Sequence, residues 1–231
     1  MDSPQRKVRS VLEEHSLRRR VNGAQSIFLD GEVGRSDRVV SAIYFHLSAH
    51  QWAARADDPA YLRALEEGLE VCRAPLRVLD IGTGAGASAH AVARRHPHAQ
   101  VIAIDTSRRM LHQARRRFTR ENLSYERASA SRLPYAPASF DLIMWLNAIA
   151  DPVELRRVST DDAELLCVSH FVAPSPLPSV WTYRWRDLGF ERRGYGRVAD
   201  GGWELFRRVG ARGQDHPVSR VAGRTPGQGS A

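Results

Sequence analysis

Short apolar segments alternate with longer segments of helical periodicity through the middle of this chain. Residues 76–81 and 100–105 are short, rich in β-branched side chains and bounded by turn residues, as the buried strands of a parallel sheet are. Between them, an alanine-rich segment runs from Ala87 to His96 with helical spacing. A strand, a helix and a second strand in this order predict an α/β fold built on a parallel sheet.

The same alternation continues on both sides of this unit. Apolar residues at helical intervals precede it over residues 38–56 and 60–72, with a weaker stripe in the first 20 residues. Two strands near the carboxyl end flank a glycine turn at 200–202, which predicts an antiparallel hairpin. The pattern predicts helices at 107–118, 152–158 and 180–188, and strands at 123–127, 140–146, 163–171, 189–195 and 202–209. Ser107 and Asp151 are expected to cap the first two of these helices.

A glycine-rich turn joins the first strand to its helix. It reads Gly82-Thr83-Gly84-Ala85-Gly86 and lies two residues after Asp80. Glycine lets the backbone turn sharply and approach a ligand, and the free N–H groups of the following helix face that ligand. Asp105, at the tip of the second strand, suits an acid that accepts hydrogen bonds from a ribose diol. Dinucleotide enzymes place a further glycine where this chain has Ala87, so a dinucleotide is the weaker of the two cofactor classes that use such a unit.

Two stretches resemble the class I (Rossmann-like) S-adenosylmethionine (SAM) dependent methyltransferases. Residues 78–86 are similar to the first motif of that family, and Leu133-Pro134-Tyr135 with Ser139-Phe140-Asp141 is similar to a later one. The resemblance covers residues 76–209. It implies SAM as the cofactor and a seven-stranded, mostly parallel sheet with an antiparallel last strand, helices on both faces and an N-terminal helical cap. We therefore expect a cap at residues 1–74, a SAM-binding domain at 75–209 and a disordered tail at 210–231.

The resemblance also implies which residues contact the cofactor. The glycine loop and its acid would line the methionine part, and Asp105 would hold the ribose hydroxyls. Thr106 and Met110 would flank the adenine. The segment after the third strand would lie at the edge of the adenine, and there Ser129 replaces an acid found in many members of the family. The residues implied at the cofactor are Asp80, Gly82, Thr83, Gly84, Gly86, Asp105, Thr106, Met110, Ser129, Ala130 and Asn147.

Candidates for acceptor binding and proton removal come from other parts of the chain. They are Tyr44, His46, Asn147 and His170, with His50 one helical turn after His46. Asn147 follows the fourth strand, so it either lies near the reactive end of the cofactor or caps the next helix. His46 and His50 also have the spacing of a metal pair, but no third ligand is evident, and no metal is predicted.

Composition narrows the expected function. The 231-residue chain carries a net charge of +8, and its arginines are scattered without the interleaved aromatic residues that stack on bases, so we expect a small-molecule substrate rather than a nucleic acid. No apolar run is long enough to span a membrane and the charged N-terminus resembles no secretory signal, which favours a cytoplasmic protein. The two cysteines are expected to be reduced, and the oligomeric state, monomer or homodimer, stays open.

Three functions are compatible with these features. The first is a SAM-dependent methyltransferase that acts on a small molecule, in the manner of specialised metabolism. The second is an enzyme of the same fold that uses SAM without methyl transfer, for example by intramolecular cyclisation that releases methylthioadenosine. The third is a non-catalytic partner protein, which the intact glycine loop and Asp105 disfavour because a decayed cofactor site needs neither.

Overall fold

A computed structural model of the chain describes residues 58–148, 150–169, 185–198 and 201–209. Helix α1 is the first described element and spans Pro59–Val71. The side chain of Asp58 caps it by accepting a hydrogen bond from the Ala60 N–H at 2.9 Å. Proline suits the first position of the helix, because the N–H that it lacks would have no partner within the helix.

The remaining elements follow the predicted order of strands and helices. They are β1 (Arg77–Ile81), α2 (Ala87–Arg95), β2 (Gln100–Asp105), α3 (Arg108–Arg117), β3 (Leu123–Arg127), β4 (Phe140–Leu146), α4 (Pro152–Val158), β5 (Ser159–Ser169), β6 (Phe190–Val198) and β7 (Gly201–Arg208).

The strands form one seven-stranded sheet with the order β3-β2-β1-β4-β5-β7-β6. Strands β1 to β5 pair in parallel, and β7 lies antiparallel between β5 and β6. The predicted fold class is therefore confirmed, including the insertion of an antiparallel seventh strand. The order reverses at β1, whose carboxyl end at Ile81 leads directly into the glycine loop.

Successive residues of each strand point to opposite faces, and each face has its own apolar core. On one face Val78, Met144 and Trp203 pack under α1 and α2. On the other face Ile81 and Trp145 join the buried residues of α4. Both faces are thus covered by helices, as a parallel sheet requires.

Helix α1 belongs to the first of these layers. Its residues Ala64, Leu65 and Leu69 are buried and pack against the sheet. The last part of the segment predicted as a cap therefore contributes to the core of the domain. Residues 1–57, which make up the rest of that segment, and the predicted tail lie outside the described residues.

Capping of the two central helices follows the prediction. The Ser107 hydroxyl accepts a hydrogen bond from the Met110 N–H at the start of α3, at 3.3 Å. The Asp151 carboxylate accepts hydrogen bonds from Val153 and Glu154 at the start of α4, and Pro152 follows it. These caps fix the points at which the chain leaves the carboxyl edge of the sheet.

Strands β5 and β6 differ from the prediction at one end each, and β6 continues to Val198, beyond residue 195. Strand β5 begins at Ser159 and not at residue 163, because Ser159 pairs with Phe140 and a bulge then shifts the register to Leu142 and Glu164. The polar residues 160–162 indicate a loop by their sequence, and in the structure they lie in the bulge between these two pairs. Of the helix predicted at 180–188, the described residues 185–187 are helical.

Both cysteines are free and partly buried, as expected for reduced thiols. Burial raises the pKa of Cys72 and of Cys167 well above the ordinary value of a thiol. Neither side chain is therefore activated as a nucleophile at neutral pH.

Candidate cofactor site

The glycine loop crosses the carboxyl ends of β1 and β2. The N–H groups of Gly82 and Thr83 both donate to the Ile104 carbonyl oxygen, at 2.8 and 3.0 Å. Gly82 has a φ of +70°, and a Cβ at this position would lie 2.3 Å from the Cβ of Ala148. Glycine is required here, because the backbone conformation disfavours a side chain and the contact with Ala148, just after β4, excludes one.

The loop is closed at its far end and open in its middle. A Cβ at Gly86 would lie 2.7 Å from the Tyr125 hydroxyl oxygen and 2.8 Å from the Ala114 Cβ, so β3 and α3 press against this residue. A Cβ at Gly84 would meet its nearest atom at 4.0 Å, a carbonyl oxygen of the loop itself. The space beside Gly84 is therefore free for a ligand.

Asp105 connects the loop to helix α3. One oxygen of its carboxylate accepts the Gly84 N–H at 3.0 Å, and the other accepts the Ser107 N–H at 2.7 Å. Burial raises the pKa of Asp105, and these backbone hydrogen bonds partly oppose that shift. Each carboxylate oxygen can accept a further hydrogen bond, so the geometry leaves acceptor capacity for two vicinal hydroxyls.

Asp80 lies fully buried beneath the loop. Its Oδ2 accepts the Ser88 hydroxyl at 2.7 Å, whereas its Oδ1 has no hydrogen-bond partner of standard geometry. Burial raises the pKa of Asp80 to about 6; the Ser88 hydroxyl opposes the shift and the negative charge of Asp105 adds to it. The Thr83 hydroxyl and the Ala89 backbone N–H are also near enough to lower the pKa, although the Thr83 contact falls short of hydrogen-bond geometry. A buried carboxylate oxygen without a partner is costly, and a cationic ligand group would remove that cost.

The residues predicted around the adenine lie at the same edge of the sheet. Thr106 is exposed and its carbonyl oxygen accepts the Arg127 Nε–H at 3.1 Å, while Met110 is buried. Ser129 is exposed and its hydroxyl lies 2.9 Å from that of Ser131 within a tight turn. The Ser129 hydroxyl thus already has a partner in its own turn, which weakens it as a substitute for an acid. Ala130, in the same turn, is partly buried.

Asn147 lies directly after β4 with a φ of +54° and is buried. Its N–H donates to the Val168 carbonyl oxygen at 3.0 Å. The interpretation of Asn147 as a helix cap is wrong, because Asp151 caps α4. The left-handed conformation of Asn147 instead directs the chain so that Ala148 contacts Gly82.

Four of the candidates for acceptor binding cannot be placed. Tyr44, His46, His50 and His170 lie outside the described residues. Within the part of the chain that the structure describes, no three His, Cys, Asp or Glu side chains are grouped as a metal site would require. The same part contains no helix with the length and hydrophobicity needed to cross a membrane.

Two further side chains complete the floor of the loop and were not among the predicted site residues. Ser88 binds Asp80, and Tyr125 brings its buried hydroxyl, which has no hydrogen-bond partner, against Gly86. The contact between Ser88 and Asp80 could have been predicted, because a serine in the first turn of a helix often lies near an acid at the end of the preceding strand. Nothing in a single sequence indicates that Tyr125 points beneath the loop.

Residues 78–161 match the family model described as a methyltransferase domain. Over this segment the chain is similar to methyltransferase domains. SAM is the cofactor that the resemblance to class I methyltransferases implies, and the donor set fits it: an open position at Gly84, a buried carboxylate oxygen without a partner at Asp80 and acceptor capacity at Asp105.

The curated relatives of this methyltransferase domain match it in part. An uncharacterised methyltransferase of Bacillus subtilis is 31% identical over 137 residues, which are 52% of this chain and 53% of that protein. The malonyl-[acyl-carrier protein] O-methyltransferase of Geobacter sulfurreducens is 36% identical over 107 residues, 42% of this chain and 38% of that protein. The chain thus spans about half or less of the length of these relatives.

Solved structures share the fold at low identity. A SAM-dependent methyltransferase from Aquifex aeolicus superposes with a TM-score of 0.54 at 18% identity, covering 68% of this chain and 96% of that one. The [4+2]-cyclase SpnF superposes with a TM-score of 0.53 at 18% identity, covering 64% and 82%. One sheet architecture therefore occurs in a methyltransferase and in a cyclase, and the fold alone does not separate the two reactions.

Proposed function

We propose that this protein transfers a methyl group from SAM to a small-molecule acceptor. The observation that carries the proposal is the pair of carboxylates on either side of the glycine loop, Asp80 buried and Asp105 half-buried. Asp80 has an oxygen without a partner, and Asp105 retains acceptor capacity. A ligand with an ammonium group at one end and a ribose diol further along satisfies both, and SAM is such a ligand.

In this proposal each part of the site has its own role. The loop from Gly82 to Gly86, with Thr83 and Asp80, holds the methionine part, and Asp105 accepts the two ribose hydroxyls. Thr106 and Met110 flank the adenine, with Ser129 and Ala130 at its edge. The support is positional, because all of these residues lie at the carboxyl edge of β1, β2 and β3.

The transfer itself asks little of the protein. SAM supplies an electrophilic methyl group. The chain must hold the acceptor in line with it, exclude water and take up a proton where the acceptor is a hydroxyl or a protonated amine. Asn147 is the described residue that we assign to the acceptor side, since it follows β4 beside the loop. Tyr44, His46 and His170 are the candidates for proton removal.

The acceptor class is also a proposal. One relative is named for a malonyl group on an acyl-carrier protein, and this supports an acceptor group of small size rather than a nucleic acid. We place the reaction in the cytoplasm.

A second candidate function is SAM chemistry without methyl transfer. Its support is limited to the fold, which also occurs in SpnF, a protein named for a [4+2] cyclisation and not for methyl transfer. Product analysis separates the two functions: methyl transfer releases S-adenosylhomocysteine, whereas intramolecular cyclisation of SAM releases methylthioadenosine.

Calorimetry with SAM tests the proposed function. The wild-type protein should bind SAM, and Asp105→Ala should weaken binding by about 1–3 kcal/mol, because the ribose hydroxyls lose their acceptor and the Gly84 N–H loses its partner. NAD is the matched competitor, since it also carries a ribose diol. Tight NAD binding without SAM binding would contradict the proposal, and unchanged SAM affinity in Asp105→Ala would contradict the ribose assignment.

A further inference from the structure

The segment between β3 and β4 is fastened to helix α4 by an ion pair. Glu154 and Arg157 lie three residues apart on α4, and two nitrogens of the guanidinium reach the two carboxylate oxygens at 2.8 and 2.9 Å. Hydrogen bonding from Arg157 lowers the pKa of Glu154 to about 2, so the pair stays charged through the physiological range.

Both members of the pair also bind the backbone of that segment. The Leu133 N–H donates to Glu154 Oε2 at 2.6 Å. Arg157 donates to the carbonyl oxygens of Leu133 at 2.9 Å and Tyr135 at 2.6 Å. Three backbone groups of an irregular segment are therefore satisfied by charged side chains. The segment cannot shift along α4 without breaking these charge-assisted hydrogen bonds, which are stronger than hydrogen bonds between neutral groups.

The other end of the segment is tied to the edge of the sheet. Arg127, which pairs in register with Asp105, donates from Nε to the Thr106 carbonyl oxygen at 3.1 Å. The Tyr135 hydroxyl donates to Glu126 at 2.9 Å. Residues 128–135, named the nucleoside wall here, thus run from the carboxyl ends of β2 and β3 to α4 and bound the space beyond Asp105.

We infer that Glu154 and Arg157 are positioning residues that set the nucleoside wall for the adenosine part of the cofactor. The inference rests on the proposed function, since it requires SAM with its ribose at Asp105. The two side chains act through the backbone of Leu133 and Tyr135, so their removal moves the wall while the glycine loop and the methionine side keep their contacts.

The experiment measures binding of S-adenosylhomocysteine and of 5′-methylthioadenosine, which keeps the nucleoside but lacks the amino-acid part. In Arg157→Gln both affinities should fall by about tenfold and by the same factor, because the loss lies at the end that the two ligands share. Glu154→Gln, which keeps shape and one acceptor, should give a smaller loss for both ligands. Arg157→Lys should recover part of the affinity, because its ammonium still pairs with Glu154 but cannot reach both carbonyl oxygens.

Arg207→Gln is the matched control. Arg207 on β7 binds Glu164 on β5 through its Nε and a terminal nitrogen, and the two side chains are 25% and 3% exposed, compared with 33% and 16% for Arg157 and Glu154. This variant should lower the melting temperature and leave both ligand affinities unchanged. Equal losses of affinity in Arg207→Gln and Arg157→Gln, or no loss in Arg157→Gln, would overturn the inference. Failure of the wild type to bind either ligand would overturn the proposed function instead.

Discussion

Glycines cluster in two regions of this domain, and they serve different purposes there. In the loop after β1, Gly82 and Gly86 adopt left-handed backbone conformations and touch the chain at Ala148 and Ala114. Around Trp203 on β7, the glycines are Gly68 of α1 and Gly194 and Gly196 of β6, and none of these three has a left-handed φ. We call the second region the indole groove.

The indole groove is a packing arrangement. Trp203 is 3% exposed, and a Cβ at Gly196 would lie 2.4 Å from its Nε1. A Cβ at Gly68 would lie 2.7 Å from a Leu166 methyl and 3.3 Å from the indole, and one at Gly194 would lie 3.3 Å from it. The missing side chains leave room for one large ring between β6 and α1.

Glycine is therefore required for different physical reasons in the loop after β1 and in the indole groove. In the loop, glycine sets the backbone path, so a side chain there disturbs both folding and the ligand. In the groove, glycine sets volume, so a side chain there disturbs folding alone. Substitutions in the two regions should therefore separate the free energy of unfolding from SAM affinity.

The largest effect is expected from Gly82→Ala. The new Cβ would lie 2.3 Å from the Ala148 Cβ in a strained conformation, and we expect a loss of about 2–4 kcal/mol of unfolding free energy with SAM affinity reduced at least about tenfold. Urea unfolding and calorimetry measure the two quantities. Gly84→Ala is the control for strain without collision, since its Cβ meets no atom nearer than 4.0 Å. Full SAM affinity in a destabilised Gly82→Ala protein would remove the distinction between the regions.

Gly196→Ala should destabilise the domain without weakening SAM binding. Its Cβ would press on the indole at 2.4 Å and force the ring or β6 to shift, at a cost of about 1–3 kcal/mol. The same two measurements apply, with calorimetry performed well below the melting temperature. A loss of SAM affinity comparable to that of Gly82→Ala would show that the groove communicates with the loop.

The loop should also respond to pH. With a pKa of about 6, Asp80 is neutral below that pH, and SAM affinity should fall by up to about tenfold for each pH unit below 6 as the partner of the ligand's ammonium group is lost. The stability of the free protein should change in the opposite direction. The folded pKa lies above the unfolded one, so stability decreases as the pH rises from about 4 to 6.

Asp80→Asn is the variant that checks this pH response. It should flatten the pH profile of SAM affinity and reduce the stability slope. Asp105 and Glu204, whose pKa values burial also raises, would keep the remainder of that slope. A pH profile of SAM affinity that is unchanged in Asp80→Asn would assign the titration to another group.

The smallest effect is expected from Gly194→Ala. Its Cβ would lie 3.3 Å from the indole ring, a distance that a slight movement of the ring accommodates, so the cost should stay below about 1 kcal/mol with unchanged SAM affinity. Urea unfolding beside Gly196→Ala measures the difference. Equal costs at the two positions would mean that strand propensity and not the indole decides the result.

The parts of the structure that could be predicted from the sequence are those determined by residues close together in the chain. Strand patterns, the caps at Ser107 and Asp151 and the glycine turn depend on neighbouring residues, and their predicted positions agree with the structure. The start of β5 at Ser159 was missed because its pairing partner lies 19 residues earlier at Phe140. Contacts made at a distance in sequence carry no periodic signal.

The same limit applies within the candidate site. Asp80 could be identified because a family motif includes it, and Asp105 because it ends the strand that follows the glycine loop and its helix. The i, i+3 spacing of Glu154 and Arg157 is visible on a predicted helix. What the pair binds is the backbone at Leu133 and Tyr135, more than 20 residues upstream of Arg157. Every residue carries the same backbone groups, so a contact to the backbone does not require a particular residue type and cannot be predicted from the sequence.

The position of β7 imposes an order of assembly on the domain. Among the described strands β6 pairs with β7 alone, and β7 is also the neighbour of β5, so β6 cannot join the sheet before β7 does. Until they arrive, the apolar edge of β5 at Leu165, Leu166 and Val168 has no hydrogen-bonding neighbour and can capture a foreign strand. A nascent chain that has not yet produced Gly201 therefore already contains its glycine loop but is exposed to aggregation along β5.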